Sequence, residues 1–264
     1  MIYDCFMYFD EDMLLDLRLN IMHEFVDYFV IIESKYTHQG EIKEKKLNLS
    51  DFKKFQDKII YIYNEDKIGK NNAWEQENFQ RNLISKGIFN AKPDDYILIS
   101  DLDEIPNPKK LKKIFDHVYS VFSQSVFYYK FNLKNVSEPN WYGTRCCKKK
   151  YLSSPQKLRN EKIKKYPFWR FDKIFKRKFH IIEDGGWHFT YIKTLSNIKK
   201  KIKAFAHEEF NNEIYLNDDY LKKKIDNNED LFERDFKFKK VDPNEKNLPS
   251  YLLKNLNKYS DWLL

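Results

Sequence analysis

Short apolar runs recur through the first hundred residues of the chain, and their composition predicts four strands. The runs cover residues 2–9, 27–34, 58–65 and 96–99 and are rich in β-branched and aromatic side chains. The second run is apolar on both faces, which is typical of a strand inside a parallel sheet. Each run ends in polar residues, so we interpret each one as a separate strand.

Between these strands the apolar residues follow helical spacing. The segment 10–25 repeats apolar side chains three and four positions apart and carries acids in its first turn. A short helix is predicted from Ser50, and a longer one over 71–87, which Asn72 can cap and Gly87 can end. The alternation of strand and helix predicts an α/β fold with a mostly parallel central sheet flanked by helices.

The pattern changes after residue 120. The segments 125–136, 170–182 and 186–192 have the composition of strands, with less helix between them. From Thr194 onward the sequence is charged and has helical spacing. A helical C-terminal portion on the outside of the sheet is therefore predicted.

The segment DDYILISDLDEIPNP, residues 94–108, ends an apolar strand in three acids: Asp101, Asp103 and Glu104. Ligands of open α/β sheets bind beyond the carboxyl ends of the strands. A strand's period of two places Asp101 and Asp103 on one side, where a cation between them would relieve their repulsion. Mg²⁺ and Mn²⁺ prefer oxygen ligands and are often shared with substrate phosphates, so a metal site is favoured. The alternative is that the acids stabilise the start of a helix predicted over 107–118.

A second segment, IIEDGGWHFTYI at 181–192, bears on the same site. Its two glycines allow the backbone to approach a ligand closely, and His188 follows them as a candidate third metal ligand. Asp184, with Glu183 as the alternate, is the candidate general base that takes a proton from an attacking hydroxyl. The alternatives are a buried structural histidine and an aspartate that stabilises a turn.

Composition adds limits rather than a function. Of the 264 residues 42% are hydrophobic and 17% aromatic, so the chain can bury a large core. The formal charge of +8 comes mostly from lysine in a sequence rich in Asn, Ile, Phe and Tyr, so no nucleic-acid partner is predicted. Three cysteines, an acidic N-terminus and the lack of a run of ~20 apolar residues predict a cytoplasmic protein in a reducing compartment.

Four segments together resemble glycosyltransferase family 17: WEQENFQRNLI, SDLDEIP, GGWHFTYI and KIKAFAHEEFN. The resemblance extends from the first strand to the C-terminus. It implies a GT-A-type glycosyltransferase fold, a nucleotide-sugar donor such as UDP-GlcNAc, and transfer with inversion to a glycan hydroxyl. It also implies a Mn²⁺ or Mg²⁺ cofactor, with Asp103 as direct ligand, Asp101 bridging ribose and metal, and His188 completing the set.

The resemblance further suggests where the two substrates bind. Candidate donor-binding residues, in addition to the two aspartates, are Glu33, His38, Gly40, Arg81 and His207. Candidate acceptor-binding residues are Trp141, Tyr142 and Glu208. His207 and Glu208 could each contact phosphate or act as the base, and the sequence does not decide between these roles. For the other candidate donor- and acceptor-binding residues the alternative is a structural role.

We therefore expect one GT-A-like domain over 1–264, with a nucleotide-sugar-binding half at 1–120 and the acceptor side with the C-terminal helices at 121–264. A lipid-linked or envelope glycan is the expected acceptor. With such an acceptor the protein could also contact the inner face of the membrane peripherally. Two other functions remain as alternatives. One is a Mg²⁺-dependent nucleotidyl- or phosphotransferase, although no Gly-rich phosphate loop occurs. The other is a basic module that binds RNA or another anionic polymer.

Overall fold

A computed structural model describes residues 1–43, 46–67, 72–163, 178–204 and 210–264. Its strands are β1 Ile2–Tyr8, β2 Tyr28–Ser34, β3 Ile59–Asn64, β4 Tyr96–Ile99, β5 Glu104–Pro106, β6 Tyr119–Tyr128, β7 Leu133–Asn135, β8 Asn140–Lys148, β9 His180–Thr190 and β10 Phe238–Lys240. Its α-helices are α1 Asp12–Met22, α2 Ala73–Asn82, α3 Ile84–Gly87, α4 Pro155–Asn160, α5 Leu195–Ala204, α6 Asp218–Asp226 and α7 Ser250–Lys254. Short 3₁₀ helices cover 49–58, 108–114, 149–151 and 256–262.

The first half of the chain forms the parallel part of the sheet. Strands β3, β2, β1 and β4 lie side by side in that order, and each pair is parallel. Parallel neighbours need a crossover connection, which α1 supplies between β1 and β2. The four strands predicted in the first hundred residues are therefore confirmed.

The second half adds mostly antiparallel strands to the same sheet. Strand β8 pairs antiparallel with both β4 and β6, and β9 runs parallel to β6 and antiparallel to β5. Strands β7 and β8 follow β6 after short connections and pair antiparallel with its two sides. The prediction of a mostly parallel sheet thus holds for the first half only, and the sheet as a whole is mixed.

Apolar clusters cover both faces of this sheet. One face carries Leu14 of α1 and Leu252 of α7, and the other carries Leu83, beside α3, and Leu158 of α4. A third cluster lies where β6 meets α5 and α6, and Tyr128 belongs to it. These layers fix the strand ends that surround the site described below.

Several predicted helices are shorter than expected. The helix predicted over 71–87 divides into α2 and α3, and 3₁₀ turns replace the helices predicted from Ser50 and over 107–118. The C-terminal portion is helical as predicted but also contributes β10 to the sheet. The strand predicted over 170–182 lies partly outside the described residues. Among the described helices, none is long and apolar enough to cross a membrane.

Candidate active site

A cavity of about 390 Å³ lies where β4 ends, between the two halves of the sheet. Its walls come from the turn after β4 and from β9, α2, α5 and the segment after α6. Six of the lining residues carry the chemistry considered next: His38, Arg81, Asp101, Asp103, His188 and Lys201. Residues from distant parts of the sequence therefore meet at the predicted edge of the sheet.

Arg18 shapes the turn that presents the aspartates. It is completely buried, and its Nε and Nη2 donate to the Asp4 carboxylate at 2.9 and 2.6 Å. Its Nη1 donates to the carbonyl oxygens of Asp101, Leu102 and Glu104 at 2.9 to 3.1 Å. Strand β4 ends at Ile99, so the carbonyls that follow it have no partner in a neighbouring strand of the β4 ladder. The Arg18 guanidinium donates to three of these carbonyls.

Asp101 is held by two arginines. Arg81 Nη2 lies 3.0 Å from one carboxylate oxygen and Arg159 Nη2 lies 2.8 Å from the other, and 40% of the Asp101 side chain is exposed. Loss of water contact by itself would raise the pKa of Asp101, but Arg159 and Arg81 outweigh it and hold the pKa well below its usual range. The Asp101 carboxylate is therefore ionised, and each of its two oxygens is already paired with an arginine.

Asp103 faces a histidine and a lysine. Lys201 Nζ donates to Oδ2 at 3.0 Å, and His188 Nε2 lies 3.7 Å from Oδ1. The pairing of β5 with β9 places His188 opposite Glu104, and Phe189 N donates to the Asp103 carbonyl at 2.9 Å. The structure therefore brings His188 next to Asp103, as the sequence predicted.

Lys201 is a buried cation that the sequence did not reveal. Burial by itself lowers the pKa of Lys201, but Asp103 and Glu11 reverse the effect and raise it above its ordinary value. Burial would likewise raise the pKa of Glu11, whereas Lys193 and Lys201 lower it to about 2. The Lys201 ammonium and the Glu11 carboxylate consequently stay charged at neutral pH, and the contact of Lys201 with Asp103 joins α5 to the aspartate turn.

Trp141 forms part of the cavity wall beside His188. Its Nε1 donates to Oε1 of the fully buried Glu104 at 2.5 Å, and Arg159 Nη2 donates to the same oxygen at 2.5 Å. The Trp141 ring lies 5.3 Å from the His188 ring, tilted by 31°. A Cβ at Gly143 would lie 2.0 Å from Gln124 Oε1, so only glycine allows β8 to approach this closely.

Comparison with known proteins identifies the family of this chain. The sequence model of glycosyltransferase family 17 matches residues 1–264. The chain belongs to glycosyltransferase family 17. It is similar to the β-1,4-mannosyl-glycoprotein 4-β-N-acetylglucosaminyltransferases of Homo sapiens and Rattus norvegicus, each 30% identical over 103 residues, and to that of Mus musculus, 29% identical over the same length. These matches cover 35% of this chain and 19% of the length of each relative.

A divalent cation fits part of the predicted ligand set of this family 17 chain. Asp103 and His188 face each other across 3.7 Å at the cavity wall, and Mg²⁺ or Mn²⁺ commonly takes only one or two protein ligands and the rest from phosphate and water. Among the described residues, no three His, Cys, Asp or Glu side chains form a complete metal cluster. Asp101 fits the role of ligand poorly because Arg81 and Arg159 occupy both of its oxygens.

The predicted donor-binding residues divide between the cavity and the interior of this family 17 chain. His38 and Arg81 line the cavity, and burial, together with Arg81, lowers the pKa of His38. Glu33 is instead fully buried and bonded to Lys43 Nζ at 2.6 Å, which is a structural role. Gly40 adopts φ +82° in a turn and does not line the cavity.

The predicted base does not reach the cavity. Asp184 has φ 51°, its side chain is 90% exposed, and Lys110 Nζ lies 4.0 Å from its carboxylate. Strand β9 pairs with β6, and opposite Phe122–Gln124 of β6 it contains extra residues that form a bulge. This bulge turns Glu183 and Asp184 toward solvent. Neither residue lines the cavity.

The predicted acceptor residues have different outcomes. Trp141 lines the cavity, whereas Tyr142, its neighbour on β8, is partly exposed outside it. His207 and Glu208 lie outside the described residues, so their predicted roles stay predictions.

Sequence reasoning missed three cations that organise the site of this family 17 chain: Arg18, Arg159 and Lys201. One signal was available, because Arg18 stands four residues after Leu14 and four before Met22, on the apolar face of α1. An arginine at such a position indicates a buried partner. Arg159 pairs with Asp101 and Lys201 with Asp103, across 58 and 98 positions of the sequence. Local sequence patterns do not show such distant pairs.

Proposed function

We propose that this protein transfers a sugar, N-acetylglucosamine, from UDP-GlcNAc to a hydroxyl of a glycan acceptor. Family membership and the names of the similar curated proteins support the reaction class and the sugar. The observation that carries the proposal is the meeting of Asp103, His188, Arg81 and Lys201 in one cavity at the end of β4. Such a cluster suits an anionic diphosphate that leaves during transfer.

The chemistry requires stabilisation of charge on the departing diphosphate. When bound, a divalent cation supplies Lewis-acid neutralisation of that charge, and Asp103 with His188 would hold it. Arg81 and Lys201 place two further positive charges at the same cavity wall, where their field stabilises the charge of phosphate oxygens. Asp101 in turn positions Arg81, since Arg81 Nη2 donates to it at 3.0 Å.

An inverting displacement also needs a base on the acceptor side, and we propose Glu138 for this role. Of the described carboxylates that line the cavity, Glu138 is the one with no described cation as ion-pair partner. Asn135 Oδ1 accepts from the Glu138 backbone N–H at 3.0 Å and fixes the turn that carries it. A carboxylate at the cavity wall without a described cationic partner suits proton abstraction from a hydroxyl.

The GT-A-type fold and the single domain over 1–264 belong to the same proposal. One sheet runs through the parallel first half and the mostly antiparallel second half. The aspartate turn lies between the two halves, directly after β4. This arrangement supports a nucleotide-sugar half and an acceptor half that share one cavity.

The function is tested by measuring UDP release from UDP-GlcNAc with Mn²⁺, with Mg²⁺ and after chelation. We expect UDP release that requires the metal and exceeds release from UDP-glucose and UDP-galactose. Equal rates for all three donors would contradict the choice of sugar. Absence of release, together with salt-sensitive binding of single-stranded RNA, would instead favour the polymer-binding alternative.

The role of the base is tested by replacing Glu138 with Gln. Loss of the proton acceptor should lower kcat by about 100- to 10,000-fold while the KM for the donor changes little. The matched control is Asp184→Asn, which alters an exposed carboxylate outside the cavity and should leave kcat within about twofold. If Asp184→Asn lowered kcat and Glu138→Gln did not, Asp184 would be the general base instead of Glu138.

A further inference from the structure

The cavity has a second charged feature, Arg234, which the proposed reaction does not use. Arg234 lines the cavity with Phe232 and Phe236, on the segment between α6 and β10. Its two neighbours in sequence, Glu233 and Asp235, adopt φ 56° and 55°. This left-handed conformation is unfavourable for residues with side chains and persists where the surroundings impose it, often at functional sites.

Close contacts fix the Arg234 side chain in one orientation. Its Nε and Nη2 donate to the two oxygens of Asp230 at 3.0 and 2.6 Å, and Nη2 also donates to Tyr128 Oη at 2.6 Å. The guanidinium carbon lies 4.4 Å from the ring centroid of Phe236 and 5.1 Å from that of Phe232. The strained segment thus presents a rigid guanidinium between aromatic rings.

One edge of this guanidinium remains available to a ligand. Within the part of the chain that the structure describes, Nη1 donates to no protein acceptor, and 39% of the side chain is exposed. Asp230 faces the other edge and stabilises the side chain without covering Nη1. An arginine N–H of this kind favours an anionic oxygen acceptor.

Two tyrosines connect Arg234 to the aspartate turn. Lys201 Nζ, which binds Asp103, lies 5.4 Å from the centroid of the Tyr191 ring. The Tyr191 ring lies 5.7 Å from that of Tyr128, whose hydroxyl accepts from Arg234. Arg234 and Asp103 therefore lie at the two ends of one series of contacts, which runs through Lys201 and the two tyrosines along the cavity wall.

Building on the proposed function, we infer that the Arg234 end of the cavity is an acceptor subsite for an anionic saccharide. The tyrosine and phenylalanine faces suit the apolar C–H faces of sugar rings. Arg234 Nη1 binds a carboxylate or phosphate group on the acceptor, remote from the hydroxyl that is glycosylated. This assigns the acceptor a negative charge, which neither the reaction nor the relatives' names specify.

The test compares three acceptors that share one oligosaccharide: the neutral form, a uronate-bearing form and a phosphate monoester. Wild type should use at least one anionic form with a kcat/KM about 10- to 100-fold above that of the neutral form. Arg234→Met should abolish this preference, and Arg234→Lys should retain part of it. The relative rates of the uronate and phosphate forms identify which anion is bound.

Two readouts separate the possible outcomes. Lys148→Met, which breaks an exposed pair with Asp94, is the control for charge loss and should leave hydrolysis of UDP-GlcNAc without acceptor unchanged. Arg234→Lys should remain folded by circular dichroism, with a lower melting temperature because lysine cannot make both bonds to Asp230. Equal use of neutral and anionic acceptors by wild type, or loss of donor hydrolysis in Arg234→Lys, would overturn the inference. Absence of UDP release from wild type under all conditions would overturn the proposed function itself.

Discussion

Replacing Asp103 with Asn is expected to lower transfer by at least about 100- to 1,000-fold, the effect of losing one preorganised electrostatic group. The substitution keeps the shape of the side chain and removes the charge that Lys201 and His188 face at 3.0 and 3.7 Å. The rate of UDP release at saturating UDP-GlcNAc and Mn²⁺ measures the effect. Raising the Mn²⁺ concentration should restore little of the lost rate, because Asn is a weak ligand for a hard cation.

Stability must be separated from chemistry in that variant. Lys201 loses its nearest anion in Asp103→Asn but keeps the field of Glu11, so the fold should survive with a reduced melting temperature. Asp94→Asn is the matched control, since it removes an exposed carboxylate that pairs with lysines far from the cavity. A folded Asp103→Asn protein with wild-type turnover would contradict the role of Asp103.

Replacing Arg18 with Met is expected to lower the free energy of unfolding by about 3–5 kcal/mol, because it leaves Asp4 buried without its cation. The carbonyls of Asp101, Leu102 and Glu104 also lose the bonds that Arg18 donates to them, although Asp101 and Glu104 keep a second donor each. Arg18→Lys keeps the charge but cannot reach both Asp4 and the turn. Its free energy of unfolding should therefore lie between those of wild type and Arg18→Met. Urea denaturation followed by circular dichroism gives the free energies.

A double-mutant cycle makes the prediction for Arg18 specific. Asp4→Asn combined with Arg18→Met should cost less than the sum of the two single changes, since the two side chains bond to each other. Lys258→Met, which removes an exposed pair with Asp16, should cost less than about 1 kcal/mol. Additive single effects at Arg18 and Asp4, or a cost at Arg18 no larger than that at Lys258, would contradict a central role for this pair.

The parts of the fold that the sequence predicts well are those set by local patterns. Continuous apolar runs identify β1 to β4, since strands buried on both faces show no alternation. The position of Asp101 and Asp103 after such a run also locates the site, because parallel strands end at a common edge. The prediction that both carboxylates project from a strand is wrong in detail, since β4 stops at Ile99 and a turn carries them.

The parts that failed depend on contacts between distant residues or on irregular backbone. Asp184 was a reasonable candidate beside two glycines, but the bulge in β9 turns it outward, and bulges leave no clear sequence pattern. Glu33 is the second-last residue of β2, close to the edge of the sheet where the site was predicted, yet Lys43 from the following loop pairs with its carboxylate. The arginine pair around Asp101 joins α2 and α4 to the turn, and only the folded chain brings these elements together.

The most direct test of a diphosphate site at Asp103 is a calorimetric titration of UDP in the presence of Mn²⁺, on wild type and on Asp103→Asn. We expect one UDP bound per wild-type chain, with affinity that falls after chelation of the metal and falls by at least about 100-fold in Asp103→Asn. Equal affinity of the two proteins for UDP, unchanged by chelation, would contradict the account.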